Sequence, residues 1–300
     1  MAMKFRAHET FFIRKGWLSK CMRYVSQKPD VFIDKNENPM DVLGLGSNMV
    51  KSLRYWLQAV GLTEEASKGK RFQKFTKLGE QVFKHDPYTE EYGTLYLLQY
   101  KLATNEDVAP SWYYFFNVFS MQEFGKDDFI EQIENYLKMK DVSVALRSLN
   151  DDFSCIINSY VPKYKSSPIK DSPENSINCP FGELGLVDIL NKDHNNYIYK
   201  KSMPPVKSLN PWVVMAVISD QAKERKEIGL NELLTSKCNI GKVFNLDSIG
   251  MLEVLHEVER IGEIKIIRTA GLDIIRINHK ENTFLECVKK YYDSIEEQNI

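Results

Sequence analysis

The chain has 300 residues, 43% of them hydrophobic, which suits two or three packed domains and excludes a disordered or fibrous protein. Its formal net charge of −1 argues neither for nor against a polyanionic partner, but the charge is unevenly placed. Residues 1–80 carry 15 Lys and Arg against 8 Asp and Glu, and the remainder carries 25 against 33, so a basic amino-terminal part (net +7) precedes an acidic remainder, a distribution that fits polyanion binding at one end.

In chain order, apolar spacing from Trp17 predicts a first helix over Gly16–Ser26, ended by Pro29. A loop at Lys35–Pro39 follows, and Asp41-Val42-Leu43 leads into the turn Gly44-Leu45-Gly46-Ser47-Asn48. Met49–Val60 is an amphipathic helix stopped by Gly61. Met49, Val50, Leu53, Trp56, Leu57 and Val60 repeat at three and four residues as its buried stripe, leaving Asn48, Lys51, Arg54, Tyr55 and Gln58 outward. A basic excursion with Lys68, Lys70 and Arg71 precedes a strand, Phe72–Phe75, and Thr76 opens another helix. Helix, glycine stop, basic-tipped hairpin and return helix is the order of a winged helix-turn-helix, placed at residues 1–87. In it Ser47, Asn48, Lys51, Arg54 and Tyr55 are expected at the major groove, and Lys68, Lys70, Arg71 and Lys74 on phosphates.

Residues 88–165 read as an all-helical, aromatic-rich middle: Tyr92–Leu102, Trp112–Phe119, Asp127–Leu137 and Val142–Tyr160, the last with a break at Asn150-Asp151. Such aromatic stripes are core or protein interface far more often than base-stacking platforms. Pro162, Pro168 and Pro173 mark a linker at 161–177, and 166–207 adds a helix (Pro180–Leu190) and a strand (Tyr197–Tyr199). A second winged helix spans 208–280. Asn210-Pro211 starts its first helix, Ile249, Leu252, Leu255, Val258 and Ile261 form the core stripe of its third, and two alternating strands flank Thr269-Ala270-Gly271. Glu253, His256, Glu257 and Glu259 face outward from that third helix and would repel phosphate, so this module suits protein contacts or dimerisation. A helix over 281–300 closes the chain. The fold class is thus mainly α (α+β), two winged helix-turn-helix modules joined by a helical middle.

No enzymatic motif is complete. His8-Glu9 lacks the second histidine of H-E-x-x-H, and Gly44-Leu45-Gly46 continues into neither a dinucleotide loop nor a Walker lysine. The five histidines are isolated, Asp86, Glu90 and Glu91 are explained as helix-start carboxylates, and Cys155 and Cys179 lack two further zinc ligands. The expectation is a non-enzymatic protein with no cofactor and no metal. Five scattered cysteines, with no targeting core and no run near the ~20 apolar residues that span a membrane, point to a reducing cytoplasm. Two readings stay open for Arg6–Leu18. Arg6, His8, Arg14 and Lys15 form a second phosphate-contacting strip, or the segment is an extended arm pinned by Phe11 and Phe12.

Several of these motifs carry a resemblance. His8-Glu9-Thr10-Phe11 with Arg14-x-Gly16-Trp17-Leu18, and Leu45-Gly46-x-Asn48-Met49-Val50-x-Ser52-Leu53-Arg54-Tyr55-Trp56-Leu57, look like the prokaryotic family catalogued as domain of unknown function 4007. Asp86-Pro87-Tyr88, Phe116-Asn117 and Cys179-Pro180-Phe181-x-Glu183-Leu184-Gly185-Leu186 extend the likeness to about residue 278. Members of that family are found beside phosphoadenosine-phosphosulfate-reductase-like proteins in bacterial DNA phosphorothioation and anti-phage defence loci. The resemblance therefore implies a DNA-associated role, with double-stranded DNA and such a sulfur-transfer protein or other defence subunits as partners. The leading expectation is a DNA-binding, non-enzymatic defence component. Its rivals are an assembly adaptor for a sulfur-transfer or ATPase partner, a regulator of the operon, and a nuclease with a dispersed metal site.

Overall fold

The computed structural model describes residues 3–66, 69, 71–162, 178–193, 196–269, 272–278 and 282–298. The described chain is predominantly helical, with three small antiparallel sheets. It opens with α1 (Trp17–Gln27), α2 (Pro39–Leu43) and α3 (Ser47–Ala59). The short helix α2 lies where the sequence suggested only a lead-in, although Asn38-Pro39 is a start signal. Asn38 Oδ1 accepts from Met40 N at 3.1 Å, and proline occupies the first turn. Gly61 ends α3 with φ 73°, a left-handed conformation that a side chain would resist. The chain then forms a hairpin of β1 (Thr63–Glu65) and β2 (Gln73–Phe75), with Glu64 opposite Lys74, and enters α4 (Lys77–His85).

The middle holds α5 (Tyr92–Thr104), α6 (Pro110–Asn117), β3 (Glu123–Phe124), α7 (Lys126–Met139) and α8 (Leu146–Tyr160). It is not all-helical, because β3 pairs with β5 (Asn196–Lys201), which also pairs with β4 (Val187–Asp193). Helix α8 runs unbroken through Asn150-Asp151 and starts four residues later than expected. The expected helix Pro180–Leu190 is instead a 3₁₀ turn, Pro180–Leu184, followed by β4. Gly185 breaks it at φ 65°, and the partner strand makes the next residues extended. Most of the expected 161–177 linker lies outside the described residues.

The last part contains α9 (Pro211–Ala222), β6 (Glu227–Gly229), α10 (Leu230–Thr235), α11 (Ile240–Val243), α12 (Ser248–Arg260), β7 (Ile264–Thr269), β8 (Leu272–Ile277) and α13 (Phe284–Gln298). The sheet order is β6-β8-β7. The core stripe of α12 is met in part: Leu255 and Val258 are buried as expected, with Met251 and Val254 beside them, while Leu252 is half-buried, Ile249 is 69% exposed and Ile261 lies at the surface. Helix α13 returns to the front half of the chain, where Tyr292 bonds Thr94 at 2.8 Å and stacks on His85. One continuous apolar core runs from Ile13 to Tyr292.

Lys201, at the end of β5, is buried against the C-terminal end of α6. Its Nζ donates to Phe115 O at 2.6 Å and Phe119 O at 2.5 Å and lies 4.7 Å from the Phe115 ring centre. The amine satisfies carbonyls that a helix end leaves open, with no carboxylate bonded to it among the described residues. Burial, aided by nearby Lys242, pushes its pKa down to about 7, whereas an unfolded lysine titrates near 10.4. Between those values the unfolded chain holds the extra proton, so raising the pH favours the folded state. This group should add about 1.4 kcal/mol of stability per pH unit in that window. Unfolding free energies at about pH 7.5 and 9 check this: wild type gains stability relative to Lys201→Met, and equal slopes would refute it.

Candidate nucleic-acid interface

Helix α3 is covered on two sides. Its inner stripe meets α1, and the arm before α1 packs across its back. Trp56 Nε1 donates to Phe11 O at 2.9 Å, and His8 lies 6.2 Å from Trp56 and 6.3 Å from Tyr55, ring centre to ring centre. This second contact corrects one expectation. Tyr55 is buried, not outward, and burial together with the nearby Asp152 charge pushes its hydroxyl well above the usual range.

The arm is held by a buried polar network. The Asp152 carboxylate accepts from His8 Nε2 at 2.7 Å, Arg6 N at 2.8 Å and Ser111 Oγ at 2.5 Å. Thr10 N donates to His8 Nδ1 at 3.1 Å, which leaves the ring proton on Nε2. Three non-glycine residues of this short loop have left-handed φ: Arg6 55°, Glu9 49° and Thr10 68°. Such strain persists only where neighbours over-determine it, and Asp152 does so here. Arg6 Nε bonds Asp151 at 2.6 Å. His8 is therefore a buried structural group and Arg6 is paired with a carboxylate, so these two do not form the phosphate strip suggested for them. Arg14 is half-buried, its guanidinium 5.3 Å from the Trp17 ring centre, and Lys15 is exposed.

The outward stripe that remains on α3 is Ser47, Asn48 and Lys51, all exposed, continued by half-buried Arg54 and Gln58. Lys51 makes no ion pair among the described residues. Gly46 caps the helix without a side chain, so its first N–H groups face solvent at the positive end of the helix dipole. Arg54 is engaged sideways: Nε donates to Glu65 Oε1 at 2.5 Å and Nη2 to Oε2 at 2.9 Å. Glu65 also accepts from Gln58 Nε2 at 3.0 Å and from Gln73 Nε2. These bonds lace the hairpin to α3, and nothing in the local spacing marked Glu65 as the partner. Glu65 and Gln73 share the hairpin face toward α3, so by strand alternation Lys74 and Glu64 occupy the opposite face. Lys74 is thus exposed but turned away from α3. Arg71 is exposed beside the hairpin tip, and Lys68 and Lys70 lie outside the described residues. Of the four residues expected to face outward from α12, Glu253 and His256 are exposed, whereas Glu257 and Glu259 are half-buried: Glu259 Oε1 accepts from Ile266 N at 2.8 Å and Glu257 pairs with Arg260.

Among the described residues no three His, Cys, Asp or Glu side chains are grouped as metal ligands, and no helix is long and apolar enough to cross a membrane. A family model described as "Protein of unknown function (DUF4007)" matches residues 5–292. The chain belongs to the DUF4007 family. The DUF4007 chain is also similar to a crystal structure of magnesium-ion-bound SspB, with a TM-score of 0.85 and 25% identity over 97% of this chain and 88% of that one. A second SspB crystal structure is similar with a TM-score of 0.80 and 25% identity, over 98% of this chain and 87% of that one. No curated protein matches the sequence.

Proposed function

We propose that this DUF4007 chain binds duplex DNA through α3 and the adjoining hairpin, as a component of a bacterial phosphorothioation-type DNA-modification and anti-phage defence system. The observation that carries the reading is the solvent-facing stripe Ser47, Asn48, Lys51 and Arg54 on a helix that follows a tight turn and precedes a hairpin. Helix, short helix, helix and hairpin is the order in which winged helices present a helix to the major groove. The sheet order β6-β8-β7 behind α9 to α12 supports reading the last part as a second winged helix, whose exposed acids suit a protein partner. Similarity to two SspB structures and family membership support the defence setting.

Lys51 is the cation on this stripe that a phosphate meets without displacing a partner. Lys51→Ala should weaken binding equally on unrelated sequences and flatten the dependence of log affinity on log salt by about 0.9. Titration of short duplexes across a salt series checks this, and an unchanged slope and affinity would remove α3 from the interface. A magnesium ion is bound in one SspB neighbour, whereas among the described residues here no three His, Cys, Asp or Glu side chains are grouped to hold one, so a metal-dependent nuclease is the second reading. Strand nicking that requires added magnesium, and that one acidic substitution abolishes, would establish that reading.

A further inference from the structure

We propose that Arg54 reads a guanine base in the major groove, and that Glu65 is the positioning residue that aims it. The inference rests on the DNA-binding reading above and goes beyond it by assigning the contact to a base edge. A guanidinium has five N–H donors in a planar fork. Glu65 takes the Nε edge, using Nε–H and one N–H of Nη2. The opposite edge, Nη1 with the remaining N–H of Nη2, has no partner among the described residues, and the side chain keeps 26% of its exposure. That free edge offers the two parallel donors that match guanine O6 and N7.

Two further observations choose the base over the backbone. Glu65 is only 13% exposed and is held by the Gln58 and Gln73 amides as well as by Arg54. It is therefore fixed, and it stays beside Arg54 when a ligand arrives. A fixed carboxylate cancels most of the guanidinium charge at longer range, so a phosphate gains little there. The uncharged acceptors of a guanine still feel the local N–H dipoles. A buttressed arginine also loses little rotamer freedom on binding, because its side chain is already ordered. The neighbours on the stripe divide the work accordingly: Lys51 and the open helix start meet phosphates, and Arg54 meets a base.

The test uses the full chain. Bound duplexes are selected from a pool with randomised central positions and then titrated across a salt series. Wild type is expected to enrich one guanine, and 7-deazaguanine at that position, which lacks the N7 acceptor, should weaken binding about tenfold. Arg54→Ala and Arg54→Lys should erase the preference at that position while leaving the salt slope unchanged, and the lysine variant keeps the charge without the fork. Glu65→Ala should also erase it while raising affinity for unrelated duplexes, because a freed guanidinium then seeks phosphate. Binding by wild type with no guanine preference, or a deaza substitution without effect, overturns the proposal and leaves DNA binding standing. So does a salt slope that falls by about one in Arg54→Ala. Absence of duplex binding by wild type at low salt overturns the functional reading itself.

Discussion

Asp152→Ala is expected to destabilise the protein by about 3–5 kcal/mol, the range for removing one partner of a buried polar network. Asp152 is 2% exposed, His8 is fully buried and Ser111 is 1% exposed. The substitution strands three donors at once: the His8 Nε2–H, the Ser111 hydroxyl and the Arg6 backbone N–H. His8 and Ser111 are buried, so their donors lose their partner outright, and the half-buried Arg6 N–H loses the bond that holds the left-handed loop at Arg6–Thr10. Asp152→Asn should cost less, because it keeps the volume and one acceptor while turning a donor toward one of the three. Asp151→Ala is the control. Its pair with Arg6 is more exposed, at 39% and 26% for the two side chains, and solvent-accessible pairs contribute at most about 1 kcal/mol. Denaturant unfolding ranks the three, and an Asp152→Ala midpoint indistinguishable from that of Asp151→Ala would refute the role given to the network. Because the arm also bonds the back of α3 through Phe11 O, Asp152→Ala should loosen that helix as well.

This network also marks where the sequence stopped being informative. Features written in a few neighbouring residues were legible: the stripe of α3, the stop at Gly61, the Asn210-Pro211 start of α9 and the β7–β8 hairpin. His8 and Asp152 are 144 positions apart, and no periodicity links them. His8 read as an isolated histidine because its partner lies on another helix. Tyr55 failed for the same reason. Its position on the helical wheel is outward relative to α1, and the arm packed over that side, with Asp152 and Cys155 of α8 nearby, covers it. The stretch after Gly185 has an apolar pattern that suits helix or strand alike, and pairing with β5 decides it. Within the candidate interface, Asn48 and Lys51 were placed outward by phase and Ser47 by the preceding turn, whereas the state of Arg54 depends on Glu65, which arrives from the next strand. Local pattern thus located the helix and its exposed edge, and tertiary contacts determined what each charge on it is free to do.

Gly79→Ala should cost about 3 kcal/mol, and its effect should reach the interface. A Cβ added at Gly79 would lie 2.0 Å from Leu62 O and 2.9 Å from Leu62 C. Both atoms are backbone, so no side chain can swing aside. The Leu62 carbonyl is fixed in addition, because it accepts from Thr76 N at 3.0 Å just before α4, and Thr76 Oγ donates to Gly61 O at 2.6 Å while capping Gly79 N. Room for the methyl group comes only by parting α4 from the turn that joins α3 to β1. That breaks the Thr76–Leu62 bond and shifts the strand carrying Glu65, at the upper end of the usual cost of overpacking. Gly46→Ala is the matched control, because its φ of −66° suits any residue and nothing lies within 4 Å of its new Cβ. That change should cost under about 1 kcal/mol. Thermal or denaturant unfolding separates the two variants. The hairpin that moves in Gly79→Ala is the one that aims Arg54, so this variant should also lose base preference while Gly46→Ala retains it. A Gly79→Ala protein as stable and as selective as wild type would mean that α4 does not seat on Leu62 as described.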